Sequence, residues 1–150
     1  MNAVIKQISF APGNYVTAKA FANTGTPIED FIATSRLIDQ VKVGVQQLDA
    51  VQITAIDRPA SNTKAKSYPA REIIIILPKD FPVGKHAIKS SPDVALSFKD
   101  DTVVSEAISG EIEIEPAVDS ANVKARFKVV VENADETTFQ LNGDFQVLKY

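Results

Sequence analysis

Residues 109–132 read SGEIEIEPAVDSANVKARFKVVVE, and this stretch decides the fold class. Apolar and charged residues alternate in both of its halves, which is the period of a β-strand with one buried face. Placing Glu113 opposite Arg126 gives an antiparallel hairpin with a loop at residues 118–121. The same register matches the remaining outer charges and the inner apolar residues, namely Glu111 with Lys128, Glu115 with Lys124, Ile112 with Phe127 and Ile114 with Ala125. The row of glutamates therefore predicts the register of this hairpin.

The last stretch, residues 137–150, contains Asn142-Gly143, a strong signal for a two-residue hairpin turn. A turn there would mix apolar and polar side chains on each face. One continuous strand instead directs a matched set of residues to the same face, namely Phe139, Leu141, Gly143, Phe145 and Val147. We therefore predict a single strand with a kink at Gly143, because glycine inside a strand is typical of a bulge, a bend or a close backbone approach.

Alternation marks most of the remaining chain as well. Residues 3–10 and 15–21, separated by Pro12-Gly13, predict an opening hairpin. Further alternating strands are predicted around residues 41–45, 51–55 and 94–98. Residues 73–77 read IIIIL and end at Pro78, which predicts a central strand with both faces covered. A surface for self-association is the alternative for this strand.

Only residues 27–38 favour a helix. Thr26 is suited to the N-cap, Pro27 to the first helical position and Glu29 to a capping box. Several residues then fall on one helical stripe, namely Ile28, Phe31, Ile32, Ser35 and Ile38. Alternation within residues 31–37 leaves an irregular strand as the rival interpretation.

The predicted fold is all-β: one domain, residues 1–150, built as an antiparallel β-sandwich of about nine strands with one short helix near residues 27–38. The chain has 150 residues, 45% of them hydrophobic and 23% charged, which suffices for a core and argues against disorder. A net charge of −3 does not favour nucleic acid as a partner.

Several classes of site and location are excluded or left open by composition. The chain has no cysteine, which removes disulfides and thiolate chemistry. No apolar run reaches the ~18–20 residues of a membrane helix, so no transmembrane segment is expected. The first ten residues, which include Lys6 and Gln7, do not resemble a signal peptide, so the chain as written predicts a cytoplasmic protein. A secreted or periplasmic chain whose signal peptide had been removed would look the same.

The order of the C-terminal motifs resembles a family of small β-sandwich proteins common in Bacteroidetes. The residues that carry the resemblance are those at 73–77, 82–86, 109–114, 127–129 and 142–147, with a closing Tyr150. It covers roughly residues 50–150 and differs at Ala125, where the family tends to have glycine, and at His86, near a family tyrosine. The resemblance implies a β-sandwich that is generally secreted or lipid-anchored, and it implies no catalytic residue.

Two surfaces are candidates for interaction with a partner. The stretch from Arg58 to residue 70 lacks periodicity and predicts a long exposed loop, in which Lys64 and Lys66 add positive charge. The second surface is the face of the isoleucine strand that carries Ile74 and Ile76. The partner would be a protein or a small ligand, and a second copy of the chain is an open alternative.

Catalytic and metal motifs are weak throughout. His86, the one histidine, has Ser90, Ser91 and Asp93 nearby in sequence, but no G-x-S-x-G motif accompanies it. Carboxylates two residues apart on a strand lie about 7 Å apart, within the range of glycosidases, yet facing Lys and Arg would keep Glu111, Glu113 and Glu115 ionised. No metal-loop or nucleotide-loop spacing occurs, so no cofactor and no metal are predicted. The leading prediction is a non-enzymatic binding or protein-interaction module. The alternatives are a carbohydrate-active hydrolase that uses the glutamate row and a structural subunit of a larger assembly.

Overall fold

The described part of the chain consists of β-strands and their connections, without a helix. It comprises residues 14–22, 30–58, 70–116 and 121–148 of the computed structural model. The strands follow in the order β1 (Tyr15–Ala22), β2 (Phe31–Ile32), β3 (Ser35–Val43), β4 (Leu48–Asp57), β5 (Arg71–Pro78), β6 (Gly84–Ala87), β7 (Ala95–Asp100), β8 (Val103–Ile114), β9 (Asn122–Glu132) and β10 (Thr138–Leu148). The predicted all-β class with antiparallel pairing is confirmed.

These strands form a single sheet in the order β2-β1-β10-β9-β8-β7-β5-β4-β3, and β6 pairs with β8 beside this path. The sheet curls into a half-barrel. The predicted β-sandwich is not confirmed, because the described strands do not separate into two hydrogen-bonded layers. The length of β8 explains this difference. It pairs with β7 through residues 103–106 and with β6 through residues 111–114, so that hydrogen bonding continues around the curl.

β8 changes neighbours at a β-bulge between Ala107 and Ser109, where its register with β9 shifts. Gly110 follows with a φ of +110°, a region that other residues disfavour. A Cβ added to Gly110 would stand 2.2 Å from the carbonyl oxygen of Lys128. Glycine is therefore required where β8 bends. The Gly110 carbonyl also accepts a hydrogen bond from the N–H of Ile88 at 2.9 Å, which ties the chain between β6 and β7 to the bend.

The inner face of the curled sheet carries one hydrophobic cluster, to which eight of the strands contribute. Ile73, Ile75 and Leu77 of β5 are fully buried in it. Each such side chain contributes about 1.5–3 kcal/mol relative to an exposed one. Phe98 and Phe139 meet edge to face, with ring centroids 5.7 Å apart. The alternation in the sequence thus corresponds to an inner and an outer face of the sheet.

β5 is a central strand as predicted, with β4 on one side and β7 on the other. Its outer face is only partly covered, because Ile74 and Ile76 are half-buried. Thr54 and Ser97 lie beside Ile74 on the neighbouring strands, so polar side chains share this face. The prediction of two covered faces is therefore correct for the inner face alone.

The two C-terminal predictions of register and continuity are confirmed. Glu113 lies opposite Arg126 in the β8–β9 hairpin, and β10 runs through Gly143 without a turn. The ladder with β9 shows no register shift at Gly143, so no bulge accompanies the predicted kink. Close approach accounts for the glycine instead. An added Cβ would stand 2.5 Å from both Phe127 Cζ and the carbonyl oxygen of Thr17.

The helix predicted over residues 27–38 is wrong for the residues that the structure describes. Residues 30–38 contain β2 and the start of β3, while residues 27–29 lie outside the described residues. Pairing with β1 and β4 satisfies the backbone of this segment, which is rich in β-branched residues. Phe31 and Arg36 are both buried although they are five positions apart, an odd spacing that puts residues of a regular strand on opposite faces. The alternation of side chains between the inner and the outer face therefore shifts by one residue between β2 and β3.

The predicted opening hairpin is described only in its second half. Residues 15–22 form β1, and residues 3–10 lie outside the described residues. β1 pairs with β10 along its whole length, and on its other side Thr17 and Ala18 pair with Ile32 and Phe31 of β2. β1 is therefore a strand, as predicted, with described neighbours on both sides at Thr17 and Ala18.

Residues 31–35, called the closing segment below, join the two edges of the sheet. The N–H of Ala33 donates to the carbonyl oxygen of Val16 in β1 at 3.0 Å. The next N–H, that of Thr34, donates to the carbonyl oxygen of Ile56 in β4 at 2.7 Å. The closing segment therefore bonds to β1 through Ala33 and to β4 through Thr34.

An ion pair between Asp57 and Arg71, called the inner ion pair, holds the closing segment from inside the curl. The two residues face each other at the ends of β4 and β5, 2.8 Å apart and only 11% and 12% exposed. Arg71 also donates to the carbonyl oxygen of Asp30 at 2.8 Å and lies over the Phe31 ring. Asp57 accepts a hydrogen bond from the N–H of Ile32 at 3.2 Å. The pair therefore connects β4 and β5 to the backbone of β2.

Candidate functional site

A groove of about 680 Å³, called the outer groove, lies on the outer face of the sheet over β2, β1, β10 and β9. Paired residues of antiparallel strands share a face, so outward side chains of these strands lie side by side. The groove combines cations, anions, polar groups and two large apolar side chains, among them Lys19, Lys124, Arg126, Asp30, Glu115, Asp144, Thr17, Asn142, Phe21 and Ile32.

Asp144 accepts a hydrogen bond from the Thr17 hydroxyl of β1 at 3.1 Å. The Tyr15 side chain, also on β1, lies close enough to feel the charge of the same carboxylate. Partial burial, followed by the negative charge of Asp144, raises the pKa of Tyr15 above its ordinary value. Tyr15 therefore stays protonated at neutral pH and acts as a hydrogen-bond donor.

Glu115 is held by two cations of β9, and these contacts are called the outer ion pairs. Arg126 donates through Nε at 3.0 Å and through Nη2 to the same carboxylate oxygen, and Lys124 Nζ lies 3.7 Å from the other oxygen. Hydrogen bonding from Arg126 lowers the pKa of Glu115 below its ordinary value. Glu115 is thus ionised at neutral pH, whereas a general acid needs a raised pKa.

Phe21 and Ile32 supply the apolar part of the outer groove. They are 51% and 62% exposed, although each is a large side chain at the edge of a well-packed sheet. Ile32 is fixed through its backbone, because its N–H donates to Asp57 of the inner ion pair. The interior of the curl therefore positions one apolar side chain of the groove on its outside.

The sequence did not single out the outer groove. Alternation along residues 15–21 assigns Thr17, Lys19 and Phe21 to one face, which is a usable signal. The pairing of β1 with both β10 and β2 brings distant residues together, and no local pattern reveals that pairing. Asp144 and Ile32 therefore lie in the outer groove because of the order of the strands in the sheet.

The glutamate row is divided by the structure. Glu115 lines the outer groove, whereas Glu111 and Glu113 are not among the residues that line it. The predicted cross-strand register is correct, but Arg126 reaches diagonally to Glu115 rather than to the facing Glu113. Glu111 lies 3.8 Å from Lys85 of β6 instead. Glu111 therefore pairs with a cation of β6, and Glu115 pairs with cations of β9.

The residues predicted for interaction lie away from the outer groove or outside the described residues. Arg58 is exposed, and its N–H donates to the Thr34 hydroxyl at 3.2 Å. Lys64 and Lys66 lie outside the described residues, so the predicted loop at 59–69 is not tested. Ile74 and Ile76 are half-buried on the outer face of β5. None of these residues is among those that line the groove.

His86 and its neighbours in sequence do not form a catalytic arrangement. His86 Nε2 lies 2.7 Å from the carbonyl oxygen of Pro82, and the Ser90 hydroxyl donates to the carbonyl oxygen of Ala87 at 2.7 Å. Both side chains thus bond to the backbone. Within the described residues, no group of three or more acidic or histidine side chains is suited to a metal ion. The same part of the chain contains no helix that could span a membrane.

Comparison of the chain with protein-family models, with curated proteins and with solved structures finds no match. The resemblance to small Bacteroidetes β-sandwich proteins therefore stays a prediction. The function has to be inferred from the geometry of the molecule.

Proposed function

We propose that the protein is a non-enzymatic binding module that holds a segment of another protein in the outer groove. The observation that carries this proposal is the exposure of Phe21 and Ile32 beside a floor of charged and hydrogen-bonding side chains. Protein interfaces combine aromatic and apolar anchors with a polar rim in this way. The volume of about 680 Å³ also lies within the range of about 300–1,000 Å³ that is usual for binding sites.

The charges of the groove favour a partner that carries both signs. Lys19, Lys124 and Arg126 provide three positive charges. Asp30, Glu115 and Asp144 balance them with three negative ones. Nucleic acids require a concentrated positive surface, which a balanced groove does not provide. An extended peptide with an apolar residue between polar or charged ones matches this mixture.

The protonation states support binding rather than hydrolysis of carbohydrate. A glycosidase needs a carboxylic acid that stays protonated at neutral pH next to a second carboxylate. Glu115, the one glutamate of the row that lines the groove, has its pKa lowered by Arg126. Both the hydrolase and the structural-subunit alternatives stay predictions that no contact in the groove favours.

A random dodecapeptide library panned against the immobilised protein tests the proposal. We expect enriched peptides with an apolar residue, and we expect Phe21→Ser to weaken their binding at least tenfold, because aromatic anchors dominate interface energies. Val103→Ser is the matched control, since Val103 is also a large apolar residue, 55% exposed, on another part of the sheet. Binding is measured by surface plasmon resonance.

Three outcomes would contradict the proposal. No enrichment over an unrelated immobilised protein would argue against a peptide-binding groove. Equal binding to the wild type and to Phe21→Ser would place the binding surface elsewhere. Loss of binding with Ile74→Ser but not with Phe21→Ser would support the outer face of β5 instead. In each case circular dichroism of the variants verifies that they are folded.

A further inference from the structure

One cation of the outer groove lies between two carboxylates. Arg126 of β9 is directly opposite Asp144 of β10, and paired residues share a face of the sheet. Its guanidinium nevertheless donates to Glu115, which follows β8 on the other side of β9. Lys124 of β9 forms an ion pair with the same glutamate. The cations of β9 are therefore directed away from Asp144.

Asp144 is consequently a carboxylate whose charge the fold does not use. The residue is exposed, and within the described parts of the chain it forms no ion pair with a lysine or an arginine. A neutral group, the Thr17 hydroxyl, donates to its Oδ1 at 3.1 Å. This bond orients the carboxylate without neutralising it. Asp144 can therefore accept a charge-assisted hydrogen bond from a cation that a ligand supplies, and such bonds are about twice as strong as neutral ones.

A large apolar side chain lies in the same row across the strands. Ile32 faces Thr17, and Thr17 faces Asp144, so the three residues follow one another across β2, β1 and β10. Neighbouring strands lie about 4.8 Å apart, which separates Ile32 from Asp144 by about 10 Å. Ile32 is exposed in the groove. The row thus presents an apolar surface and a carboxylate at a fixed separation.

The remaining charges of the outer groove lie together, to one side of this row. Lys19 is two residues beyond Thr17 on β1, and Asp30 is two residues before Ile32. Because β1 and β2 are antiparallel, both residues are on the same side of the row, about 7 Å from it. A negative charge therefore accompanies the positive charge of Lys19, whereas Asp144 has a neutral neighbour in Thr17.

We propose that the outer groove recognises a peptide segment that carries an arginine or lysine about three residues from an apolar side chain. This inference rests on the proposed function and specifies its partner. The cation pairs with Asp144, and the apolar side chain packs on Ile32. Three residues of extended chain span about 10 Å, which matches the separation of the two. An acidic residue at the position of the cation would bring like charges together and oppose binding.

A double-mutant cycle between the protein and a peptide tests the proposal. The peptide is the tightest binder from the dodecapeptide library, and its neutral counterpart carries citrulline or acetyl-lysine in place of the cation. We expect Asp144→Asn to weaken binding of the charged peptide at least fivefold, because asparagine still accepts the Thr17 hydrogen bond but lacks the charge. The neutral peptide should bind at least fivefold more weakly to the wild type, and equally well to both proteins. Surface plasmon resonance measures the four affinities.

Asp39→Asn is the matched control. Asp39 is also an exposed aspartate within a strand, but it lies on β3 and is not among the residues that line the groove. This variant should bind the charged peptide as tightly as the wild type. Equal weakening by Asp39→Asn and Asp144→Asn would show a general attraction between an acidic protein and a basic peptide, and would overturn the proposal.

Reversal of the charge provides a second measurement. We expect the library panned against Asp144→Lys to select aspartate or glutamate at the position where the wild type selects a cation. Selection of the same basic peptides by Asp144→Lys would overturn the proposal. Circular dichroism verifies that each variant is folded.

The outcomes separate this inference from the proposed function. Peptides that depend on Phe21 but carry no cation, or that bind equally well to Asp144→Asn and the wild type, overturn the inference and leave the binding groove in place. A library without any enriched peptide overturns both.

Discussion

The inner ion pair and the outer ion pairs use the same chemistry in opposite surroundings. Asp57 and Arg71 meet inside the curl, where about a tenth of each side chain is exposed. Arg126 meets Glu115 on the outer face, where the two side chains are 63% and 21% exposed. Water therefore reaches the outer charges more than the inner ones, and burial makes each inner charge more dependent on its partner.

The inner ion pair and the outer ion pairs also differ in the groups to which they hydrogen-bond. Asp57 and Arg71 also hydrogen-bond to backbone groups of β2, so they fix the path of the chain. The side-chain hydrogen bonds of Glu115 and Arg126, by contrast, join these two side chains to each other. The comparison teaches that an ion pair fixes the path of the backbone where it also hydrogen-bonds to backbone groups. Where it bonds only to side chains, it affects the surface but not the path of the chain.

Arg71→Met should have the largest effect among the changes that test this comparison. It leaves the Asp57 carboxylate buried without its cation, and losing one partner of a buried pair costs about 3–5 kcal/mol. Equilibrium unfolding in urea measures the change in the free energy of unfolding. The double variant Asp57→Asn/Arg71→Met is the control, because it removes the stranded charge and should recover part of the loss. A change below about 1 kcal/mol for the single variant, typical of an exposed pair, would break the comparison.

Gly143→Ala should have an intermediate effect. It tests whether packing rather than charge stabilises the region of the outer groove. The added Cβ would meet Phe127 Cζ and the Thr17 carbonyl oxygen at 2.5 Å, and overpacking of this kind costs about 1–3 kcal/mol. The same urea experiment measures the loss. Phe127→Leu in the Gly143→Ala background removes Cζ and should restore less than the whole loss, since the backbone contact remains. An alanine variant as stable as the wild type would show that the strands can move apart.

Glu115→Gln should have the smallest effect, several times smaller than that of Arg71→Met at pH 7. The pKa of Glu115 is lowered in the folded protein, so its contribution is present above the ordinary value of 4.5 and is lost as the pH falls through the lowered value. The difference in urea midpoint between wild type and variant should therefore shrink below about pH 4.5. It should also shrink in 1 M NaCl, which screens exposed charges. A difference that persists in acid and in salt would contradict the assignment of these pairs to the surface.

The parts of the fold that follow from the sequence are those in which neighbours in space are also neighbours in the chain. The register of the β8–β9 hairpin and the continuity of β10 depend on side-chain parity within one hairpin or one strand. The single curled sheet depends on β8 changing partners at a bulge, which alternation alone does not reveal. The all-β class therefore follows from the strands themselves, whereas the sandwich arrangement is not confirmed.

The candidate site was less predictable for the same reason. Phe21, Ile32 and Asp144 come from three separated parts of the chain, and only the order β2-β1-β10 brings them together. Arg71 and Asp57, which face each other across β4 and β5, are fourteen residues apart in the chain, and no local pattern reveals their pairing. Among the residues that line the groove, Glu115 is the one that the sequence analysis considers for catalysis, and its lowered pKa does not suit an acid role.

Between β2 and β3 the alternation of inward-facing and outward-facing side chains shifts by one residue. Phe31 and Ala33, just before Thr34, face the core at odd-numbered positions, whereas Arg36 and Ile38 of β3 face it at even-numbered ones. A deletion of one residue at this point would exchange the two sets along β3, turning Leu37 inward and Arg36 outward. Related sequences should therefore change the length of this connection only in steps of two residues.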